Sequence, residues 1–429
     1  MITDSEAVTD ISARGYLFSV HEIRIESARP SGALAKSLAH YTMGIIYDNE
    51  ERFEDAIREY SEALALEPDI SYIHTRLAID YILTNKEEQA LAELEIAVAL
   101  DPADTRPKFL KALAYTAQEK FEDARKEYVD IIRKDPESVL ALSSLADLLV
   151  LQEKLVEAAS IYEKLLKKEK NSFALYFNLA VIYSKLGKTG AAIKKLEEAV
   201  ELDPDRVETP LYYYLGLLYF KAGKIDKAIA QYDLLVKSDP RDALAYVHWA
   251  DLYLKLNRYG DAIAVLDKAL KGGIKDAEVY LAMGYAYSEL KDYSKALKFY
   301  NTALRLDKDA PMVYFYLGAL YDKLKDKTAA VKNFRAAIRL DPGFSDAYNY
   351  LGYMLVESGE NLDEAVMLIK KALEIDPENG AYIDSLGWAY FKKGETGEAL
   401  KLLKRAVKLE PAEAEIKNHL ETVKKSLKK

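Results

Sequence analysis

Residues 385–400, SLGWAYFKKGETGEAL, set Gly387, Gly394 and Gly397 beside the basic pair Lys392–Lys393 and the rings of Trp388, Tyr390 and Phe391. Glycines next to lysines are the raw material of a phosphate-cradling loop, and aromatics next to glycine suit a ligand slot. A phosphate loop also needs a strand before it and Walker-type spacing, and this run has neither. Other chemistry-bearing residues are sparse. The five histidines (His21, His40, His74, His248 and His419) lie far apart, and no H-E-x-x-H is present to hold a metal. There is no cysteine, hence no thiolate nucleophile, disulfide or Cys-type metal site. No G-x-S-x-G elbow occurs. Carboxylates are abundant, but they fall at helix starts and on solvated faces, and nothing pairs them across a dry cleft. The expectation is a non-enzyme with no cofactor and no metal.

Half of the 429 residues are hydrophobic, ample for a core. Asp+Glu total 70 against Lys+Arg 60, a net charge of −10, which argues against a phosphate-dominated nucleic-acid partner. No stretch reaches the 18 or so apolar residues of a membrane span. The start, MITDSEAVTDISARGYLF, has neither the basic opening nor the apolar run of an export signal. The chain as written reads as soluble and cytoplasmic, and as periplasmic or outer-membrane-associated if a signal was removed.

The elements that position these residues recur. Pro68, Pro102 and Pro136 are 34 apart, Pro204 is two periods on, and Pro377 and Pro411 are again 34 apart. Each follows Asp or Glu and closes a helical run such as ALALEP. Eleven units fit, beginning at Ser37, Ser71, Thr105, Val139, Phe173, Thr209, Ala243, Ala277, Pro311, Ser345 and Gly380. Each has a small residue at position 8, an aromatic or Leu at 11 and 24, and Ala at 20, from Ala56 and Ala90 through to Ala399, with Ala365 displaced by one. Positions 4, 7, 8 and 11 share one stripe of a first helix. A small residue at 8 lets the second helix approach, and the proline ends that helix. SLGWAYFKKGETGEAL is thus the middle of the eleventh unit, with Gly387 at the close-packing position and KKGETG as the turn between helices.

This 34-residue pattern resembles the tetratricopeptide repeat, with Tyr usually replacing Trp at position 4. The resemblance implies an all-α, right-handed α-solenoid of about eleven helix-turn-helix repeats. Residues 1–36 are expected to form an N-terminal helical cap, 37–411 the eleven repeats as one solenoid, and 412–429 a C-terminal capping helix. In that last helix Ile416, Leu420, Val423 and Leu427 share one face. Lys424, Lys425, Lys428 and Lys429 complement its C-terminus. Three departures predict bends rather than domain boundaries: DRVETP at 205–210, LKGGIKD at 270–276 and ESGENLDEA at 357–365.

In this family, positions 2, 5, 9 and 12 of the first helix, with 6 and 13 beside them, line the inner face of the superhelix. Here they carry Phe109, Phe177, Tyr213, Tyr214, Phe220, Tyr285, Phe315, Tyr316, Tyr350, Tyr353, Trp388 and Phe391. Arg76, Asn178, His248, Asp251, Asp322, Asn349 and Asp384 are interspersed. Rings at 5 and 6 also suit the joint between repeats, whereas those at 9 and 12 are expected to stay exposed. An exposed aromatic strip reads as a groove for a partner polypeptide. The Lys/Asn set with which some relatives clamp a C-terminal carboxylate is missing, since Asn178 is followed by Pro210 and Tyr214. The run from Asn349 to Leu400 is similar to bacterial tetratricopeptide lipoproteins that act as adaptors of carboxyl-terminal processing proteases. That similarity implies a protein scaffold or adaptor whose partners include a protease or its substrates. The alternative is a scaffold that assembles with itself into homo-oligomers.

Overall fold

The structure, a computed structural model, describes residues 32–202 and 209–427. The expected N-terminal cap lies, up to residue 31, outside the described residues. The chain forms two compact units, Met1–Arg206 and Val207–Lys429, divided within the DRVETP stretch. Among the described residues every regular element is a helix.

The first unit holds five hairpins. Its helices are α1 (Gly32–Asn49), α2 (Phe53–Leu66), α3 (Ser71–Leu83), α4 (Glu87–Leu100), α5 (Arg106–Ala117), α6 (Phe121–Lys134), α7 (Val139–Leu151), α8 (Leu155–Lys168), α9 (Phe173–Lys185) and α10 (Thr189–Leu202). The second unit holds six hairpins and a terminal helix. These are α11 (Thr209–Lys221), α12 (Ile225–Ser238), α13 (Ala243–Lys255), α14 (Tyr259–Lys271), α15 (Ala277–Glu289), α16 (Tyr293–Leu306), α17 (Pro311–Lys323), α18 (Lys327–Leu340), α19 (Ser345–Ser358), α20 (Leu362–Ile375), α21 (Gly380–Lys392), α22 (Thr396–Leu409) and α23 (Ala414–Ser426). Within each unit the second helix of one hairpin packs on the first helix of the next. Successive first helices also touch, as α13 does α15 and α19 does α21, so they line the crowded inner side.

The repeated residues explain this packing. All eleven alanines at position 20 are fully buried, from Ala56 to Ala399. At position 8, a methyl built on Gly44 or Gly284 would lie 2.4 Å from the ring of Tyr60 or Tyr300, both at position 24. Gly216 and Gly318 seat Tyr232 and Phe334 in the same way. A missing side chain on the first helix is therefore the socket for a ring on the second. Three hairpins pair a smaller leucine with alanine (Leu94 with Ala78, Leu196 with Ala180, Leu266 with Ala250), whereas Gly352 and Gly387 seat Ile369 and Leu403.

Two further devices recur. Asp101, Asp135, Asp239, Asp307 and Asp341 each accept, through Oδ1, the backbone N–H two residues on, which closes the turn between hairpins. At position 15, between the two helices, all eleven units turn through a left-handed residue. Four are glycines (Gly187, Gly223, Gly359 and Gly394); the others are Glu51, Asn85, Glu119, Glu153, Asn257, Lys291 and Lys325. The extra residue in ESGENLDEA is absorbed by a second left-handed residue, Asn361.

A side chain in the left-handed region costs ~1–2 kcal/mol, and glycine returns part of this as chain entropy. Lys291→Gly and Lys325→Gly are therefore expected to stabilise the protein by about 0.5–1 kcal/mol each, and Gly223→Ala to destabilise it by about 1 kcal/mol. Denaturant midpoints check this; a lower midpoint for both glycine variants would contradict it.

Candidate functional site

The inner-side rings are held by first helices that already use their other face for the ring socket. In the second unit α15, α17 and α19 bring four of the expected rings into one chain of contacts. Tyr285 meets Tyr316 edge-on at 5.3 Å, Tyr316 lies 5.4 Å from Phe315, and Phe315 meets Tyr350 edge-on at 5.8 Å. Tyr316 also stacks on the buried Tyr300 at 6.2 Å, and Tyr350 on Phe334 at 4.9 Å. Further along, Trp388 stacks on Phe391 at 5.1 Å and on His419 of α23 at 4.1 Å. The Trp388 indole N–H donates to Glu357 at 2.7 Å, and the Tyr353 hydroxyl donates to Glu415 of α23 at 2.8 Å. The terminal helix thus rests on the last rings of the row, with His419 Nδ1 held 2.8 Å from the buried Asp384.

The other expected rings are placed differently. Tyr213 lies 4.0 Å from His248, and with Phe220, Tyr232 and Asp251 they line a cleft of about 30 Å³. That is room for about one water, against roughly 300–1,000 Å³ for small-molecule sites. Burial lowers the His248 pKa, so the ring there is neutral near pH 7. Tyr214 is half-buried on the same helix. In the first unit Phe177 is half-buried and stacks on Phe173 at 6.4 Å.

Phe109 corrects the expectation. It is 4% exposed and packs edge-on against Tyr128 at 5.8 Å, inside the first unit's core. It shares one hydrophobic cluster with Ala112, Tyr128 and Leu145 of the next hairpin, which covers the ring. The rings at positions 9 and 12 also differ from expectation. Tyr285, Tyr353, Trp388, Phe220 and Phe391 are half-buried rather than exposed: Tyr285 leans on Tyr316 of the next hairpin, and the terminal helix covers Tyr353 and Trp388 through His419.

The sequence reading missed a polar cluster in the first unit. Tyr60 donates to Asp48 at 2.6 Å, and Asp48 and Asp80 are neighbouring buried carboxyls, each raising the other's cost of ionisation. Arg76 stands 3.9 Å from Asp48. Asp80 is 1% exposed; burial, then the neighbouring Asp48, pushes its carboxyl up to about 9, and burial raises Asp48 as well. The signal was available: position 10 is apolar in the other ten units and acidic only at Asp80. His40 and His74, both at position 4, pair with carboxylates at position 23, Glu59 and Glu93. His74 Nδ1 lies 2.5 Å from Glu93 and Nε2 2.8 Å from the Pro68 carbonyl. Both partners only accept, so the doubly protonated ring satisfies both. Burial acts to lower His74, but these bonds outweigh it and its pKa is raised.

Family profiles described as "Tetratricopeptide repeat" match residues 37–70, 109–173, 158–207, 177–243, 213–277, 311–344 and 358–420, and one described as "TPR repeat" matches 284–325. Together these ranges take in well over half of the chain. The protein belongs to the tetratricopeptide-repeat family. Among solved structures, yeast Tom70 is similar at 18% identity over 91% of this chain and 96% of that chain, with a TM-score of 0.53. The anaphase-promoting-complex hetero-tetramer Cut9–Hcn1 matches at 14% identity over 91% and 96%, with a TM-score of 0.47. YrrB, described as a TPR protein with an unusual peptide-binding site, matches at 25% identity over 44% of this chain and 97% of that chain, with a TM-score of 0.34. No curated protein sequence matches. Among the described residues of this tetratricopeptide-repeat chain, no cluster of three or more His, Cys, Asp or Glu could hold a metal ion, and no helix is long and apolar enough to cross a membrane.

Asp80 and His74 both bind protons more tightly in the fold than in the open chain. Such a group stabilises fully below its unfolded value, ~3.9 for Asp and ~6.5 for His, and that contribution is lost as pH rises through the folded value. Both act in one direction. The first unit is expected to lose stability as pH rises from about 4 to about 9, with Asp80→Asn flattening the profile. Thermal melts across that range check this; a midpoint that rises with pH would contradict it.

Proposed function

We propose that this chain is a non-catalytic interaction scaffold that holds a segment of a partner polypeptide against the inner, first-helix side of residues 209–427. The observation that carries this reading is the ring row Tyr285–Tyr316–Phe315–Tyr350, which spans three hairpins in continuous contact while each ring stays partly exposed. Aromatic rings in rigid settings are efficient anchors, because few rotamers are lost when they are covered. The helices beneath them are fixed by the ring sockets, so binding requires no refolding of the scaffold. Contacts spread over several hairpins make each ring's share modest. The C-terminal likeness to lipoprotein adaptors puts a protease or its substrate first among partner classes to try.

Tyr316→Ala, Tyr350→Ala, Tyr353→Ala and Trp388→Ala are each expected to weaken capture of a partner by about 1 kcal/mol, and the quadruple variant to abolish it. Pull-downs from lysate of the source organism, with helical circular dichroism as the folding control, measure this. Undiminished capture by a folded quadruple variant would count against the face.

A further inference from the structure

We propose that the inner side of α17, α19 and α21 takes a basic segment, a stretch of partner polypeptide that lays lysine or arginine side chains among carboxylates and its apolar residues on the rings. This rests on the scaffold reading above and names the chemistry of the occupant.

The argument is one of uncompensated charge. Asp322, Asp346, Glu357 and Glu415 surround the ring row, and none forms an ion pair with lysine or arginine among the described residues. Three of them are held by ring donors instead: Asp346 by the Tyr382 hydroxyl, Glu357 by Trp388 and Glu415 by Tyr353. A phenol or indole donor orients a carboxylate without neutralising it, and leaves lone pairs for an incoming cation. Three acids on second helices each carry a lysine of their own helix. Asp267 pairs with Lys271 at 2.5 Å, Glu374 with Lys371 at 2.7 Å and Glu398 with Lys401 at 3.8 Å. The cations present on the inner side are already engaged: Lys323 with Glu289 at 2.8 Å, and Lys392 over the Trp388 ring at 5.0 Å. The latter contact shows a cation resting on one ring of the row, as a partner's lysine or arginine would on the others.

The phenols register the same negative field. Burial first, then Asp251, Asp346 and Glu289, raises Tyr316; burial, then Asp322 and Glu289, raises Tyr350. An acidic segment laid here would bring more carboxylates against four that lack a cation.

The test uses the full chain and two fluorescein-labelled peptides of equal length and equal Leu and Phe content, one carrying Lys and the other Glu between the apolar residues. Anisotropy at about 50 mM salt, where screening is weak, is expected to show the Lys peptide binding about tenfold tighter than the Glu peptide. The triple variant D322N/D346N/E357Q should lose about five- to tenfold in affinity for the Lys peptide. The control D267N/E374Q/E398Q, which removes the same net charge from second helices, should lose less than about twofold. Equal loss in both triples, or none in the first, overturns the proposal. Tyr316→Ala/Tyr350→Ala separates the two readings. If this variant loses binding while D322N/D346N/E357Q does not, the charge inference fails and the ring face stands; if neither loses binding, both fail.

Discussion

The structure depends on a large side chain, a ring in six hairpins and a leucine or isoleucine in five, entering from the second helix a gap left by the first. Gly44 under Tyr60, Gly216 under Tyr232, Gly284 under Tyr300 and Gly318 under Phe334 are the ring cases, and alanine under leucine is the relaxed version. The socket sets the distance between the two helices, and the buried alanine at position 20 sets it again from the other side. A fixed distance in each hairpin lets the next one repeat the arrangement, so a core too thin for one pair of helices becomes continuous along each unit. The left-handed residue at position 15 is a consequence: the chain must reverse within a few residues to bring 24 back over 8.

This constraint leaves the inner side available. A first helix that meets its partner through positions 4, 8 and 11 has positions 5, 9 and 12 to spare, and several of the rings there are secured by neighbours in the adjacent hairpin. The seated rings also reach that side. The Tyr60 and Tyr162 hydroxyls end on Asp48 and Asp147, so core packing and inner-side electrostatics are joined through single side chains. The second unit exploits this most fully, with Tyr300 and Phe334 backing the row from Tyr285 to Tyr350.

The hairpins were legible because period is a property of sequence: the prolines, the alanines at 20 and the small residues at 8 can be counted without knowing what they touch. Degree of burial cannot be counted in this way. Phe109 and Tyr213 both occupy position 5, yet Phe109 is sealed by Tyr128 and Tyr213 opens on a cleft beside His248. Glu119 and Lys291 gave no sign of a left-handed backbone, because the turn imposes it on whatever residue stands there. Asp80 was visible as an acid in an apolar column. Its partner Asp48 comes from a different column of the preceding hairpin, and only the fold brings the two together.

The account holds that the second unit's ring row is reachable from solvent while the socket rings are not. Hydroxyl-radical footprinting of the free protein, read by mass spectrometry residue by residue, measures this directly. Tyr285, Tyr316, Tyr350 and Tyr353 should oxidise clearly faster than the sealed Tyr128, Tyr162 and Tyr300. Protection of the first group equal to that of the second would contradict the account.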